Sequence, residues 1–202
     1  MLQINNHQRS IIIGTLLGDG FLERNGKFVR LHIDHSIKQK EYLYWKYREL
    51  KTFVPSKPRI IISYHRKAQK EYRRLHFATY SLDVFEYYWK IFYSNNRKAI
   101  TNLIFSELKD PLSLAVWYMD DGYKRNDCDA LRFSTESFSS AEQKLLQKVL
   151  AKNFGIKAVI HRKSKWWNLY IPHRETLKFI DLVSPYIIPS LRYKITLKTL
   201  ND

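Results

Sequence analysis

The chain has 202 residues, and its 35 Lys and Arg residues outnumber 19 Asp and Glu residues, which gives a formal net charge of +16. This excess makes a polyanion, above all a nucleic acid, the expected partner, while a hydrophobic content of 45% excludes a disordered basic tail. The single cysteine excludes a disulfide framework and a cysteine-rich zinc site, and the longest apolar run, residues 11–18, is too short to cross a bilayer, so we expect a soluble protein without a membrane partner.

The first half of the chain alternates between helical and strand-like patterns of apolar residues. An apolar helical segment comes first and ends at Asp19-Gly20. After it, the period of the apolar residues changes repeatedly between that of a strand and that of a helix. The predicted elements are a strand over residues 28–34, a helix over residues 38–52, strands over residues 59–65 and 72–80, and a helix over residues 82–93.

The second half repeats this order in a shorter form. Another apolar segment ends at Asp121-Gly122, and Ser139 or Ser140 can cap a later helix that Gly155 ends. The predicted elements are a strand over residues 131–136, a helix up to residue 154, strands over residues 156–163 and 165–171, and a helix over residues 173–183.

Each half therefore has the order αββαββα, if one short strand that the pattern does not locate follows each Asp-Gly pair. We expect an α+β fold of two pseudo-symmetric subdomains, residues 1–94 and 111–202, joined by a connector of residues 95–110. Two similar and positively charged halves suit a ligand with pseudo-two-fold symmetry, and duplex DNA is such a ligand.

The two apolar segments end in related motifs. The first reads IIGTLLGDG at residues 12–20, and the second reads LAVWYMDDG at residues 114–122, so that Asp19 and Asp121 lie 102 positions apart. A carboxylate at the C-terminus of a helix is unfavourable unless a cation compensates it. A pair of aspartates offers the oxygen ligands that Mg²⁺ prefers.

Small residues on these segments predict that the two helices pack side by side. Gly14 and Gly18 on one, and Ala115 on the other, permit close approach of the backbones, which would bring the two aspartates together. One Asp-Gly pair alone is better explained by an ordinary exit from a helix into a turn. Its recurrence at matching places favours a metal site.

With these motifs, the chain resembles the monomeric, two-motif LAGLIDADG homing endonucleases. The similarity extends to NNRKAI at residues 95–100 and PYIIPSLRYKI at residues 185–195. The resemblance implies that the motif helices form the interface between the subdomains, and that the two antiparallel sheets form a saddle over DNA. It also implies a site-specific endonuclease that cuts both strands across the minor groove, leaves short 3′ overhangs and serves intron mobility.

The resemblance further assigns roles to individual residues. Asp19 and Asp121 would bind the catalytic Mg²⁺, with Mn²⁺ as a substitute, and the backbone carbonyls of Gly18 and Asp120 could add ligands. Of the two adjacent acids we favour Asp121, because it is in register with Asp19 against the following glycine.

Two lysines would complete the chemistry. By the same resemblance, Lys98 and Lys194 would steady the negative charge of the reacting phosphate or organise the attacking water. In the family pattern a glycine stands where this chain has Val116, so we expect looser or shifted packing of the motif helices there.

DNA recognition requires side chains on one face of each strand, at every second position. Arg30, His32 and Asp34 alternate with apolar residues in this way, and the pattern recurs along the other strands of both halves. Arg and Asn side chains on such a face can read guanine and adenine in the major groove. The residues predicted to contact DNA are Lys27, Arg30, His32, Asp34, Arg59, Ser63, His65, Arg74, His76, Arg132, Ser134, Glu136, Lys157, His161, Lys163, Lys165, Trp166, Asn168 and Tyr170, with further phosphate contacts from Arg66, Lys67, Lys70 and Arg73.

The seven histidines show no spacing typical of a metal site, since His32 lies in a strand and His35 after it, so a histidine-based zinc nuclease is not expected. Two other classes of function stay open: an RNA maturase with intron RNA as its partner, and a noncatalytic DNA-binding protein on the same scaffold. We expect a monomer that needs no protein partner. No transit peptide is evident, which favours synthesis inside a mitochondrion, a chloroplast or a bacterium, or trimming of the chain.

Overall fold

The first half of the chain folds as the sequence predicts, with a short strand after the first Asp-Gly pair. The computed structural model describes residues 3–163 and 166–197. The elements of this half are α1 (Asn6–Leu17), β1 (Phe21–Asn25), β2 (Phe28–Ser36), α2 (Lys40–Glu49), β3 (Arg59–His65), β4 (Lys70–Ala78) and α3 (Val84–Phe92).

The segment between the halves contains a small hairpin and one helical turn. These elements are β5 (Tyr93–Ser94), β6 (Arg97–Lys98) and α4 (Ile104–Glu107). The second half then repeats the order of the first. Its elements are α5 (Pro111–Asp121), β7 (Gly122–Lys124), β8 (Leu131–Phe133), α6 (Ser140–Phe154), β9 (Val159–Lys163), β10 (Trp166–Ile171) and α7 (His173–Val183).

Both halves form the same antiparallel sheet. The strand order is β1-β2-β4-β3 in the first half and β7-β8-β10-β9 in the second, so that corresponding strands occupy corresponding places. The helices bury the inner face of each sheet, and the outer faces form the two halves of a saddle. The α+β prediction of two αββαββα subdomains is therefore confirmed. Among the described residues, no helix is long and apolar enough to cross a membrane.

Helices α1 and α5 pack against each other at the centre of the molecule. Both are buried over most of their length, which explains why their sequences are apolar on every side instead of along one stripe. Asn5 caps the start of α1, and Asp110 with Pro111 starts α5. The two motif helices thus form the interface between the subdomains.

The expected loosening of this interface at Val116 is wrong. A Cβ atom built on Gly14 would lie 2.6 Å from Val116 Cβ and 2.5 Å from the carbonyl oxygen of Ser113. The valine of one helix therefore fills the space that the glycine of the other leaves open. The packing stays tight because small and large residues alternate across the interface.

Strand β8 is shorter than predicted. It ends at Phe133, so Ser134 and Glu136 lie beyond the strand and not on a sheet face. The Ser134 N–H donates to the Asp121 carbonyl at 2.9 Å, and the Thr135 hydroxyl accepts from the Leu169 N–H at 3.0 Å. These bonds turn the chain towards the cap of α6. Lys157 similarly precedes β9, which begins at Val159.

The outer part of the β3–β4 hairpin leaves large apolar side chains in solvent. Ile60, Ile62 and Tyr64 share one face of β3 and are 57%, 57% and 62% exposed. Strand β3 is the edge of its sheet and pairs only with β4. The apolar inner face is therefore covered near Leu75 and Phe77 but not along the edge strand.

Candidate active site

The two motif acids lie at adjacent helix ends. Asp19 follows the end of α1, and Asp121 is the last residue of α5. Burial, followed by repulsion from Asp19 and then from Asp120, raises the pKa of Asp121 to about 8. The N–H of Asp19 lies 3.2 Å from Asp120 Oδ2, so the α1–α5 packing brings the ends of the two motifs together.

Asp120 has a different environment from Asp121. The Lys46 ammonium donates to both of its carboxylate oxygens, at 2.7 and 2.9 Å, and both side chains are 0% exposed. Lys46 belongs to α2 of the other subdomain. Within the described ranges, Asp121 forms no ion pair of this kind, which favours Asp121 over Asp120 as the metal ligand.

His35, to which the sequence analysis assigned no role, lies beside these acids. His35 Nδ1 is 3.4 Å from Asp19 Oδ2, and His35 Nε2 is 3.7 Å from Asp120 Oδ1. Burial alone would raise the pKa of Asp19, but His35, together with Lys46 and Lys98, outweighs burial and lowers it. The spacing of the histidines in the sequence indicates no metal site, but the side chains of His35, Asp19 and Asp120 lie close enough to share an ion.

The two predicted lysines reach the backbone of the two motifs. Lys98 Nζ donates to the carbonyls of Gly18 at 2.7 Å and Gly20 at 2.8 Å. Lys194 Nζ donates to Met119 at 2.6 Å and to Asp120 at 3.3 Å. Each lysine thus binds the backbone of the motif in its own half, at matching positions.

Burial dominates the titration of both lysines. It lowers the pKa of Lys98 to about 8, although Asp121, Asp120 and Asp19 oppose the shift. It lowers the pKa of Lys194 as well, against the same three acids. These ammonium groups are therefore poorly hydrated and stand close to the carboxylates, which is the environment in which a charge acts most strongly on a reacting group.

The donor set fits a hard divalent cation. The carboxylates of Asp19 and Asp121 and the carbonyls of Gly18 and Asp120 are all oxygen ligands, the kind that Mg²⁺ prefers. Burial and the neighbouring acids raise the pKa of Asp121, so a cation bound beside it would favour its ionised form. These four residues are the ones that would hold the ion.

The outer sheet faces carry most of the residues predicted to contact DNA. The register pairs Asp34 with His76 and Arg59 with His76, which puts these side chains on one face. The exposed members of the predicted set are Lys27, Arg59, Ser63, His65, Arg74, Ser134, Lys157, His161 and Trp166, together with Arg66, Lys67, Lys70 and Arg73, and the partly buried members are Arg30, Asp34, Arg132, Glu136 and Tyr170. The side chain of Lys163 and the whole of Lys165 lie outside the described residues.

Three predicted contact residues are buried instead of exposed. Asn168 is 0% exposed, and neither its Nδ2 nor its Oδ1 has a hydrogen-bond partner, so it is not available on the surface as expected. His32 and His76 are each 9% exposed. The alternation of a strand assigns a face, but the neighbouring large side chains decide whether a residue on that face reaches solvent.

Acidic residues on the first sheet hold some of its basic side chains. Glu23 accepts from Arg30 at 2.5 Å and lies 3.0 Å from His32. Asp34 lies 3.1 Å from His76 Nδ1. A side chain held in this way loses less entropy when it binds a base edge, which favours specific recognition.

The sequence and the fold together define the class of protein to which this chain belongs. The chain belongs to the LAGLIDADG DNA endonuclease family, whose sequence model matches residues 9–179. The DNA endonuclease I-ChuI of Chlamydomonas applanata is 26% identical over 211 residues, covering 96% of this chain and 97% of that protein. The cytochrome b mRNA maturase bI2 of Debaryomyces hansenii is 29% identical over 202 residues, covering 95% of this chain and 74% of that protein.

The solved structures agree on the fold. The homing endonuclease I-WcaI, bound to its DNA recognition sequence, superposes with a TM-score of 0.91 over 98% of this chain and 90% of that chain. Its sequence identity is 24%, so the likeness establishes the architecture and not the residues that act.

Proposed function

We propose that this protein is a site-specific endonuclease that cuts both strands of a DNA duplex. The observation that carries the proposal is the cluster at the ends of α1 and α5, where Lys98 donates to the carbonyls on either side of Asp19 and Lys194 donates to the two carbonyls before Asp121. Two carboxylates and two poorly hydrated lysines, one set from each half, suit hydrolysis of two phosphodiesters related by the pseudo-two-fold axis.

The residues have separate tasks in this reaction. Asp19 and Asp121, with the carbonyls of Gly18 and Asp120, would hold Mg²⁺, or Mn²⁺ in its place. The bound ion would supply an activated water and neutralise charge on the phosphate. Lys98 and Lys194 would then steady the negative charge that develops on the phosphate oxygens, which a buried ammonium does more strongly than an exposed one.

The sheets would hold the DNA while the helix tips meet its backbone. The two outer faces differ, because the nine-residue strand β2 carries Arg30 and Asp34 whereas the corresponding three-residue strand β8 carries Arg132. We therefore expect a long target without exact symmetry, cut across the minor groove with short 3′ overhangs. A monomer would suffice, and the biological role would be intron mobility in a mitochondrion, a chloroplast or a bacterium.

The test is cleavage of a mixed library of DNA duplexes in Mg²⁺ by the parental protein and two variants. We expect Asp19→Asn and Asp121→Asn each to abolish cutting while both still bind the selected duplex in Ca²⁺. Asp181→Asn, an exposed site on α7 with the same change of charge, should cut at the parental rate. Parental rates in either motif variant would contradict the assignment of the site.

A second candidate is an intron RNA maturase. The specific observation in its favour is the similarity to the maturase of Debaryomyces hansenii over 95% of this chain. Binding of RNA alone would not need an acid at the end of each motif helix, so we place it second. The maturase would be favoured if the protein cuts no duplex but promotes splicing of an intron RNA, and if this splicing activity persists in Asp19→Asn. A protein that binds a duplex without cutting or splicing would instead be a noncatalytic DNA-binding protein.

A further inference from the structure

Helix α2 of the first subdomain reaches across to α5 of the second with two side chains one helical turn apart. The Tyr42 hydroxyl donates to the Val116 carbonyl at 3.1 Å, and Lys46 pairs with Asp120 as described above. The aromatic ring of Tyr42 also lies 4.5 Å from the Lys46 ammonium. Both charges of the pair are fully buried, so removing either one alone would leave an uncompensated charge in the interior.

Asp120 also accepts a hydrogen bond from the backbone of the opposite motif. Its Oδ2 lies 3.2 Å from the N–H of Asp19. Around this N–H, Gly18 bonds to the Gly14 carbonyl and Gly20 bonds to the Thr15 carbonyl. The N–H of Asp19 therefore falls outside the helical pattern at the end of α1, and the other subdomain supplies its acceptor.

His35 links the same two acids through its ring. It is 1% exposed in its side chain, and its two nitrogens face Asp19 Oδ2 and Asp120 Oδ1. Tyr42 packs on the ring with centroids 4.8 Å apart. The imidazole is thus wedged between Tyr42 and the acids, where it limits the directions that the Asp19 side chain can take.

This arrangement exists in one motif only. The residue that corresponds to Asp120 in the first motif is Gly18, and a Cβ atom on Gly18 would lie 2.6 Å from Asp120 Oδ2. There is room for one side chain at this crossing of the helices. The difference between GDG and DDG in the two motifs follows from that limit.

We propose that Asp120, held by Lys46, is a positioning residue that fixes Asp19 for metal binding, and that its carboxylate is not itself a metal ligand. This inference rests on the proposed nuclease function. The ion pair orients Asp120, which then anchors the Asp19 backbone and holds His35 against the Asp19 carboxylate. Asp19 is thereby fixed by the opposite subdomain, whereas Asp121 has no equivalent anchor in the described part of the chain.

The test uses the full chain and paired substitutions. Lys46→Met and Asp120→Asn should each lower Tm strongly, and the double variant K46M/D120N should recover most of the loss, because neither charge is then left unpaired. A second double variant, K46M/D120L, is also free of unpaired charge but removes the acceptor for the Asp19 N–H. The two double variants therefore differ in the anchor and not in the buried charge.

We expect K46M/D120N to keep kcat for the selected duplex within a few-fold of the parental value. We expect K46M/D120L to lose about 10- to 100-fold in kcat with little change in KM, because misplacement of a reacting group acts on the chemical step. Hydrogen exchange of the Asp19 amide, followed by NMR, gives a readout independent of cleavage. It should be slow in the parental protein and in K46M/D120N, and at least about 10-fold faster in K46M/D120L, as expected for loss of a buried hydrogen bond.

The Arg9–Glu107 ion pair serves as the matched control. It links α1 to α4 near the start of α1, remote from the acids, and Arg9 Nε lies 3.1 Å from Glu107 Oε2. R9M/E107L should change Tm without changing kcat or the exchange of the Asp19 amide.

Three results would overturn the inference. One is fast hydrogen exchange of the Asp19 amide in the parental protein, a measurement that does not depend on any variant being folded. Another is equal kcat in the two double variants, which would make the pair merely structural. The third is loss of all cutting together with weaker Mn²⁺ binding by calorimetry in K46M/D120N, which would make the Asp120 carboxylate a ligand. Failure of the parental protein to cut any duplex would instead contradict the proposed function, and the exchange data would still report on the anchor.

Discussion

Gly14 on α1 faces Val116 on α5 with no space for another carbon between them. Val116 occupies the position in the second motif that Gly14 occupies in the first. A Cβ atom added to Gly14 would lie only 2.6 Å from the Cβ atom of Val116. The interface is therefore complementary: one helix supplies the small residue and the other supplies the large one. Because each helix ends in a motif acid, this contact also sets the separation of Asp19 and Asp121.

The first prediction concerns this contact. Gly14→Ala should lower the free energy of unfolding by about 1–3 kcal/mol, the usual cost of overpacking a core. Val116→Ala should be destabilising for the opposite reason, since it leaves a cavity. The double variant G14A/V116A should lose less than the sum of the two, although the Ser113 carbonyl still restricts residue 14. Urea denaturation gives the free energy of unfolding of the parental protein and the three variants. If the loss in the double variant equals the sum of the two single losses, the two residues are not complementary.

The second prediction concerns pH and the metal-free protein. With a pKa of about 8, folded Asp121 keeps its proton between about pH 4 and pH 8, where the unfolded chain releases it. The folded state then binds more protons, so this group makes stability fall as pH rises through that window. The substitution Asp121→Asn removes the ionisable group and therefore removes this dependence of stability on pH.

We therefore expect Asp121→Asn and the parental protein to have similar Tm near pH 4 in EDTA. At pH 8 the variant should melt on the order of 10 °C higher, since a shift of about four pKa units at about 1.4 kcal/mol each corresponds to roughly 2–4 °C per kcal/mol in a chain of this size. Asp181→Asn should follow the parental curve, and added Mg²⁺ should narrow the gap by binding the folded parental protein. Parallel curves for Asp121→Asn and the parent would contradict the buried, repelled carboxyl.

The third prediction concerns the two lysines. Lys98→Met and Lys194→Met should each lower kcat for cleavage by about 100-fold, the scale found when one donor to a developing negative charge is removed. Affinity for the duplex in Ca²⁺ should change much less. Lys144→Met, an exposed position on α6, makes the same change of net charge and should cut normally. Near-parental cutting by both lysine variants would remove them from the chemistry.

The fourth prediction separates contacts to phosphates from contacts to bases. Lys67, exposed between β3 and β4, should contribute one phosphate contact, so Lys67→Ala should weaken binding to all duplexes alike and reduce the salt slope by about 1. Arg59, on the outer face of β3, should read a base. Arg59→Ala should therefore lower discrimination at one base pair by about 1–3 kcal/mol. Fluorescence anisotropy between 50 and 200 mM salt measures the salt dependence of binding and the discrimination between duplexes, with Lys144→Ala as the control. Identical behaviour of Lys67→Ala and Arg59→Ala would contradict the distinction.

Much of the architecture could be predicted from local patterns. The bounds of β3 and α7 and the start of α6 coincide with the predicted ones, because period, capping residues and glycine act within a few positions of the chain. The motif acids could be predicted because their pattern is repeated. Errors arose at Ser134, Glu136 and Asn168, where hydrogen bonds and neighbours from distant strands decide where a strand ends and what it exposes.

By itself, the sequence determined the two-fold repeat, the order of helices and strands, and the pair of acids at the helix ends, because these follow from short-range periodicity and from a motif that occurs twice. Lys46 is one of the buried residues of α2, but nothing local in the sequence indicates which group it contacts. Only the tertiary structure decided that Lys46 pairs with Asp120, 74 positions away, and that His35 lies against Asp19. The physical reason is that burial makes an isolated charge costly, so its partner is chosen by which helices cross and not by which residues are near in the chain.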